Sequence, residues 1–185
     1  QRRMYITGGI GSSGYLERFT ADYHLPNESG YCETCASIGL ALFGRRMALM
    51  ERDARYYEVV ERTLYNRVLA GISADGQRYF YVSPLEVWPQ SCMDKTDLRH
   101  VKPVRQRWFS VACCPPNVAR TLASLGQYIY AQDDDTLYVN LFISSSLKTT
   151  VNSNLLELTM DSSLLQDGKI TLTIKADKGR AFSLA

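Results

Sequence analysis

The stretch ETCASIGLALFGRRMALM, residues 33–50, gives the first half of this sequence its helical character. It contains no proline, and Ile38, Leu42, Arg45 and Leu49 recur at spacings of three or four residues. That spacing places the four side chains on one face of a helix. We therefore predict a helix over the whole stretch.

A second helical pattern follows directly. Asp53 has the side chain of an N-cap, apolar residues recur every three or four positions as far as Val68, and Gly71 ends the pattern. The short connection predicts an antiparallel pair of helices. Beyond it, residues 78–82 are aromatic and β-branched and run into Pro84, which predicts a strand.

Two further segments complete the first part of the chain. Residues 1–30 are rich in Gly, Ser, Tyr and Asn, a composition typical of a long structured loop. Pro115 and Pro116 can open a helix, because its first turn does not use the amide donors that proline lacks. The apolar periodicity after them predicts a third helix that ends near Tyr130.

The last part of the chain changes period. Residues 137–143, 155–160 and 170–174 alternate or cluster apolar side chains in the manner of strands. We predict a mainly α plus β protein, with a helical domain over 1–134 and a β domain over 135–185.

Composition excludes several classes of function. The 185 residues are 45% hydrophobic and carry a formal net charge of +2, and no basic run follows a nucleic-acid backbone, so we expect no nucleic-acid partner. No stretch reaches the roughly 20 apolar residues that span a bilayer, so we expect no membrane partner. Five cysteines, two of them adjacent, do not suit a disulfide framework and favour a reducing, cytoplasmic compartment. The opening on Gln1 suggests a piece of a longer protein.

The cysteines also suggest a metal. Zinc takes four ligands from thiolate, imidazole and carboxylate, and adjacent Cys113 and Cys114 offer two thiolates. Glu33 and Cys35 offer a carboxylate and a thiolate at the start of the first helix, where the helix dipole favours anions. Free cysteines are also common as small buried apolar residues, and spacing alone leaves both interpretations open.

A closed set of four ligands is ordinarily structural, since a catalytic zinc keeps one position for water or substrate. Catalysis would require one ligand to be the nucleophile itself. A thiol redox role for Cys113 and Cys114 is the weaker alternative, because neighbouring cysteines form strained disulfides and redox motifs separate them by two residues.

Several motifs in the first 130 residues carry a family resemblance. They are Tyr5-Ile6-Thr7-Gly8-Gly9-Ile10-Gly11-Ser12, Asp22-Tyr23, Leu25-Pro26-Asn27, Glu33-Thr34-Cys35-Ala36 and Cys113-Cys114-Pro115-Pro116-Asn117. In order and spacing the chain resembles glycoside hydrolase family 127, which contains retaining β-L-arabinofuranosidases. The resemblance implies the C-terminal part of an (α/α)6 barrel in 1–134, followed by part of a β-sandwich in 135–185.

The resemblance also implies residue roles. Cys113 corresponds to the nucleophile, Glu17 to the general acid/base, and Glu33, Cys35 and Cys114 to residues that hold Zn²⁺ together with Cys113.

Glu61 and Tyr81 correspond to positions that touch the sugar. The implied partner is a carbohydrate, the segment alone is expected to have little activity, and a homo-oligomer stays open. The rival hypothesis is a non-catalytic, zinc-stabilised module that binds carbohydrate or protein.

Overall fold

The computed structural model describes residues 2–92, 96–177 and 181–185. The chain divides into two compact units, Gln1–Leu122 and Ala123–Ala185. Helices and strands both contribute to the fold, which confirms the mixed α and β class. The assignment of 1–134 and 135–185 to a barrel and a sandwich stays a prediction and is taken up under the proposed function.

Two predicted helices are confirmed in the first unit. Helix α1 spans Thr34–Glu51, and α2 spans Ala54–Thr63 and continues as a π-helical turn over Leu64–Leu69. The side chain of Asp53 accepts a hydrogen bond from the Arg55 amide, which makes it the N-cap of α2. The two helices pack closely at Gly44 of α1. A methyl group added there would lie 2.9 Å from a carbon of the Val60 side chain on α2.

The chain before α1 is irregular, as its composition predicts. It contains a 3₁₀ turn over Tyr15–Glu17 and isolated bridges such as the one between Met4 and Ile10. A second 3₁₀ turn lies at Thr96–Leu98. Among the described residues, no helix combines the length and apolarity needed to cross a bilayer.

The predicted strand at 78–82 is wrong as a continuous element. Tyr79 forms single bridges with Ile72 and Gln106, and Val82 forms one with Glu33. Each bridge joins a different segment, so no single neighbouring strand runs alongside these residues. Residues 78–82 therefore form isolated bridges to other segments and do not belong to a sheet.

The third predicted helix begins where expected but ends early. Helix α3 spans Cys114–Ala123, and a short helix α4 spans Gly126–Ile129. Where α4 begins, the amides of Gln127 and Tyr128 donate to the carbonyls of Ser124 and Leu125, only three residues earlier. This shorter spacing tightens the turn. Gly126 lies at this break, and glycine is among the poorest helix formers.

The described residues of the second unit form six strands in two sheets. Strands β3, β4 and β5 form an antiparallel sheet, while β2 pairs with β1 antiparallel and with β6 in parallel. Their bounds are β1 Tyr130–Gln132, β2 Thr136–Val139, β3 Ser145–Val151, β4 Asn154–Ser163, β5 Lys169–Ala176 and β6 Ser183–Leu184.

Strand β4 forms the centre of its sheet. Leu156, Leu158 and Met160 are buried on one face, and the alternate residues are exposed, as period-two patterning predicts. The strand predictions at 155–160 and 170–174 are confirmed. The one at 137–143 is too long, since β2 ends at Val139.

Candidate metal and catalytic site

Four potential metal ligands converge in the first unit. One atom each from Glu33, Cys35, Cys113 and Cys114 lies within 4.8 Å of the others. Glu33 is the N-cap of α1 and Cys35 lies in its first turn, while Cys113 precedes α3 and Cys114 opens it. Two helix N-termini therefore face one small volume, and their dipoles favour the negative charge of thiolates and carboxylates.

The distances within this cluster suit a tetrahedral cation. The Cys35 Sγ lies 3.2 Å from the Cys113 Sγ and 3.5 Å from the Cys114 Sγ. The Oε1 atom of Glu33 lies 3.2 Å from the Cys113 Sγ and 3.9 Å from the Cys114 Sγ. Ligands at about 2.0 to 2.3 Å from zinc in a tetrahedron are about 3.3 to 3.8 Å apart. All five cysteines are free thiols, so the donor set and the spacing fit zinc.

The groups of the cluster differ in their ease of ionisation. Hydrogen bonds from Cys114, and then from Asn117 and Cys113, lower the pKa of Cys35 to about 5. Burial raises the pKa of Glu33 to about 7 and that of Cys113 to about 11. The hydrogen bond to Cys35, followed by burial, raises the pKa of Cys114. At neutral pH the metal-free cluster therefore concentrates its charge on Cys35, and a divalent cation has to displace protons from the other groups.

Asn117 supports the thiolate of Cys35. Its Nδ2 atom donates a hydrogen bond of 3.1 Å to the Cys35 Sγ. Asn117 lies four residues after Cys113, which brings it to the same side of α3 as the cysteines. The sequence signal was present in the motif, but no role was assigned to this residue from the sequence.

The backbone between Phe80 and Val82 holds the start of α1 in place. The Thr34 amide donates to the Tyr81 carbonyl at 2.9 Å, and the Thr34 hydroxyl donates to the Phe80 carbonyl at 2.9 Å. Val82 bridges Glu33 on the same side. These bonds join the segment that contains Glu33 and Cys35, here called the metal-ligand segment, to residues 80–82, here called the Tyr81 segment.

Tyr81 contacts the cysteine cluster directly. Its hydroxyl hydrogen-bonds the Cys113 side chain, a contact that lowers the Cys113 pKa against the larger effect of burial. The ring of Tyr81 is buried, lies 4.2 Å from the His100 ring between centroids, and packs on Phe109 at 5.6 Å. Burial also raises the pKa of Tyr81, so the phenol stays protonated as a hydrogen-bond donor.

Glu17 lies in the 3₁₀ turn and lines a cavity. The carboxylate is exposed and accepts a hydrogen bond of 3.3 Å from the Tyr31 hydroxyl. The cavity has a volume of ≈ 430 Å³, and Tyr31 and His100 also line it. Leu16 and Glu17 have φ values of 54° and 52°, a left-handed conformation that is uncommon outside glycine and is concentrated at functional sites.

Glu61, the other residue predicted to touch the sugar, is exposed on α2 and is not one of the four clustered ligands. Burial, and then the charge of Glu61, raise the pKa of Tyr65. Among the described residues, Tyr81 therefore contacts the cluster more directly than Glu61 does. Tyr31 and His100, in contrast, were given no site role from the sequence.

Comparisons with known proteins identify the class to which this fold and cluster belong. The family described as "Beta-L-arabinofuranosidase, GH127 catalytic domain" matches residues 1–127. A non-reducing end β-L-arabinofuranosidase from Bifidobacterium longum subsp. longum is 45% identical over 147 residues, which are 78% of this chain and 22% of that protein. These matches define part of a glycoside hydrolase catalytic domain.

Solved structures lead to the same family. A GH127 β-L-arabinofuranosidase from Geobacillus stearothermophilus T6 shares 49% identity with a TM-score of 0.92, over 99% of this chain and 29% of that one. A GH127 β-arabinofuranosidase shares 40% identity with a TM-score of 0.83, over 94% of this chain and 26% of that one. The chain belongs to the GH127 family, and the resemblance seen in its motifs is confirmed. It spans less than a third of the length of these relatives.

Proposed function

We propose that this chain supplies the nucleophile, the zinc ligands and the acid/base of a retaining glycosidase that acts on β-L-arabinofuranosides or related plant-derived sugars. The observation that carries the proposal is the convergence of Glu33, Cys35, Cys113 and Cys114 within 4.8 Å. Relatives named β-L-arabinofuranosidase at 45% and 49% identity support the substrate class.

Exposure favours Cys113 as the nucleophile. Cys114 is fully buried at 0% exposure, whereas Cys113 is half-buried. Cys35 accepts hydrogen bonds from Asn117 and its neighbouring thiols, which engage its lone pairs and reduce its reactivity. Among the three clustered sulfurs, Cys113 is therefore accessible to a substrate, and the Tyr81 phenol can orient it.

Zinc would be held by Glu33, Cys35, Cys113 and Cys114, a set with one carboxylate and three thiolates. When bound, the cation favours the ionised form of a coordinated thiol. That chemistry is needed here, because burial raises the Cys113 pKa to about 11 and a thiol is a much weaker nucleophile than a thiolate.

The reaction follows the two-step retaining scheme with sulfur in place of oxygen. The Cys113 Sγ bonds to the anomeric carbon as the bond to the leaving oxygen breaks, and Glu17 gives its proton to that oxygen. Glu17 then takes a proton from water, the water oxygen bonds to the anomeric carbon, and the carbon–sulfur bond breaks. Two inversions leave the configuration of the sugar unchanged.

Two further residues are proposed to bind the sugar. Tyr81 hydrogen-bonds Cys113, so its phenol lies beside the position that the anomeric carbon would occupy. Glu61 is exposed on α2 and lies outside the cluster. We therefore propose that Glu61 contacts the sugar farther from Cys113 than Tyr81 does.

The domain assignment is part of the same proposal. Residues 1–134 would form the C-terminal part of the (α/α)6 barrel and 135–185 a partial β-sandwich. The paired helices α1 and α2 and the two sheets after Tyr130 support it. Since the chain spans less than a third of its relatives, we expect the segment alone to have little or no turnover.

Covalent trapping tests the proposal against the non-catalytic rival. The full-length protein is incubated with an L-arabinofuranose carrying an electrophile at the anomeric position, and peptide mapping locates the adduct. We expect labelling at Cys113, none in the C113A variant, and unchanged labelling in C92A, which removes a buried cysteine outside the cluster. Labelling of no cysteine, with bound zinc and an intact fold, would support the rival module instead.

A further inference from the structure

Three hydrogen bonds connect Arg99 to Glu17 in one chain. Arg99 Nε lies 3.4 Å from His100 Nε2, His100 Nδ1 lies 2.9 Å from the Tyr31 hydroxyl, and that hydroxyl lies 3.3 Å from Glu17 Oε1. Tyr31 is buried, and both Tyr31 and His100 line the same cavity as Glu17. Nothing in the motifs assigns a role to either residue.

The donors and acceptors along this chain can be assigned. A guanidinium only donates, so His100 Nε2 must offer its lone pair to Arg99. Burial and then Arg99 lower the pKa of His100, so the ring is neutral and its single proton lies on Nδ1. His100 therefore donates to the Tyr31 oxygen, and the one hydrogen of Tyr31 is directed to the Glu17 carboxylate.

The same imidazole also contacts the other side of the site. Its ring packs on Tyr81 at 4.2 Å between centroids with an interplanar angle of 32°, and it meets Phe109 edge-on at 6.2 Å. Tyr81 in turn hydrogen-bonds Cys113. One ring thus touches both the tyrosine that bonds Glu17 and the tyrosine that bonds Cys113.

We propose that His100 is a positioning residue, which fixes Tyr31 as a hydrogen-bond donor to Glu17 and holds the Tyr81 ring beside Cys113. The proposal rests on the roles given above to Glu17 and Cys113. It adds that the orientation of the Glu17 carboxylate depends, through Tyr31, on the tautomer of His100.

A consequence for catalysis follows. The Tyr31 hydroxyl holds the Glu17 carboxyl at the cavity, so without it that carboxyl is free to turn away from the leaving oxygen. The loss is expected in kcat more than in KM, because Glu17 acts on the leaving oxygen in the transition state. The charged and titratable groups that face this chain are Glu33, Tyr81, Asp97, Arg99 and Lys102, and the variants below leave all of them in place.

The test compares kcat and KM of the full-length enzyme on an aryl β-L-arabinofuranoside. We expect Y31F and H100F to lower kcat by about tenfold with little change in KM. H100Q, whose side-chain amide can still donate to Tyr31, should recover most of the loss. H24Q changes the other histidine, which bonds Thr20 away from this chain, and should match wild type.

Two controls separate this inference from the proposed function. Bound metal is measured for each variant, and if H100F does not retain it, Y31F and H100Q carry the comparison. Histidine-selective ¹⁵N spectra, assigned with H100Q, report the tautomer without any turnover, and a proton on Nδ1 is expected. A proton on Nε2, or metal-loaded Y31F and H100F with the wild-type kcat, would overturn the inference. Absence of hydrolysis by wild type would count against the proposed function alone.

Discussion

Replacing Arg67 with methionine tests how the two segments of the site are held together. Arg67 lies in the π-helical turn and is 5% exposed. Its Nη1 donates to the Ser83 carbonyl at 2.7 Å, and its Nη2 donates to the Cys32 carbonyl. Cys32 immediately precedes Glu33, and Ser83 follows the segment that contains Tyr81. One buried cation therefore joins the metal-ligand segment to the Tyr81 segment, and π-helical turns are frequent at functional sites.

The magnitude follows from what each carbonyl loses. The Cys32 carbonyl keeps the hydrogen bond from the Ser83 amide at 3.3 Å, whereas the Ser83 carbonyl loses the guanidinium. An unsatisfied buried acceptor costs about 1 to 3 kcal/mol, and each hydrogen bond to a charged group contributes about 1.5 to 3 kcal/mol. Removing the buried cation recovers part of its desolvation penalty, which itself lowers the pKa of Arg67. We expect a net loss of about 2 to 3 kcal/mol.

Amide hydrogen exchange on the full-length protein measures this loss locally. The Ser83 and Thr34 amides, which bond the Cys32 and Tyr81 carbonyls, should exchange about 30- to 150-fold faster in R67M, at about 1.36 kcal/mol per factor of ten. The matched control is R62M, on an exposed position of the preceding helix, which should stay within about 0.5 kcal/mol of wild type. Equal protection of these amides in R67M and R62M would contradict this role of Arg67.

Three further predictions concern the metal and the helix pair. C114S should lower zinc affinity by more than the roughly 10- to 100-fold that an outer-shell change causes, while C92S, outside the cluster, should keep full metal content by elemental analysis. Zinc affinity in titration calorimetry should rise between about pH 6 and 8 and release protons, because the pKa of Glu33 is about 7 and that of Cys114 is raised; a pH-independent affinity would contradict this. G44A should lower thermal stability by about 1 kcal/mol, since its methyl group would meet α2 at 2.9 Å, whereas G39A on the same helix meets nothing within 4 Å and should be neutral or stabilising.

Local patterns predicted α1, α2 and the strands β4 and β5 of the second unit, because each depends on periodicity that neighbours in sequence already display. The strand at 78–82 failed for the opposite reason. Its side chains are typical of a strand, but its partners lie on three separate segments, and no local pattern reports where they come from. The break before Gly126 was missed because apolar periodicity continued through it.

The first and third strands of the second unit were also missed. Strand β3, Ser145–Val151, is rich in polar residues. As far as Thr150, its exposed residues alternate with residues that are only half-buried. Its place in the sheet depends on seven residue pairs with β4. Backbone pairing of this kind supplies stability that a weak amphipathic pattern does not show.

The motifs alone identify the residues that can bind a metal, since Glu-Thr-Cys and Cys-Cys-Pro-Pro carry ligand types that chemistry restricts to few roles. The convergence of sulfurs nearly 80 residues apart, 3.2 to 3.5 Å from one another, appears only in the folded chain. The same packing brings Tyr31 against Glu17, His100 against Tyr81, and Arg67 against the Cys32 and Ser83 carbonyls. Each of these is a single residue whose meaning comes from partners distant in sequence, and contacts of that range depend on how the whole chain packs.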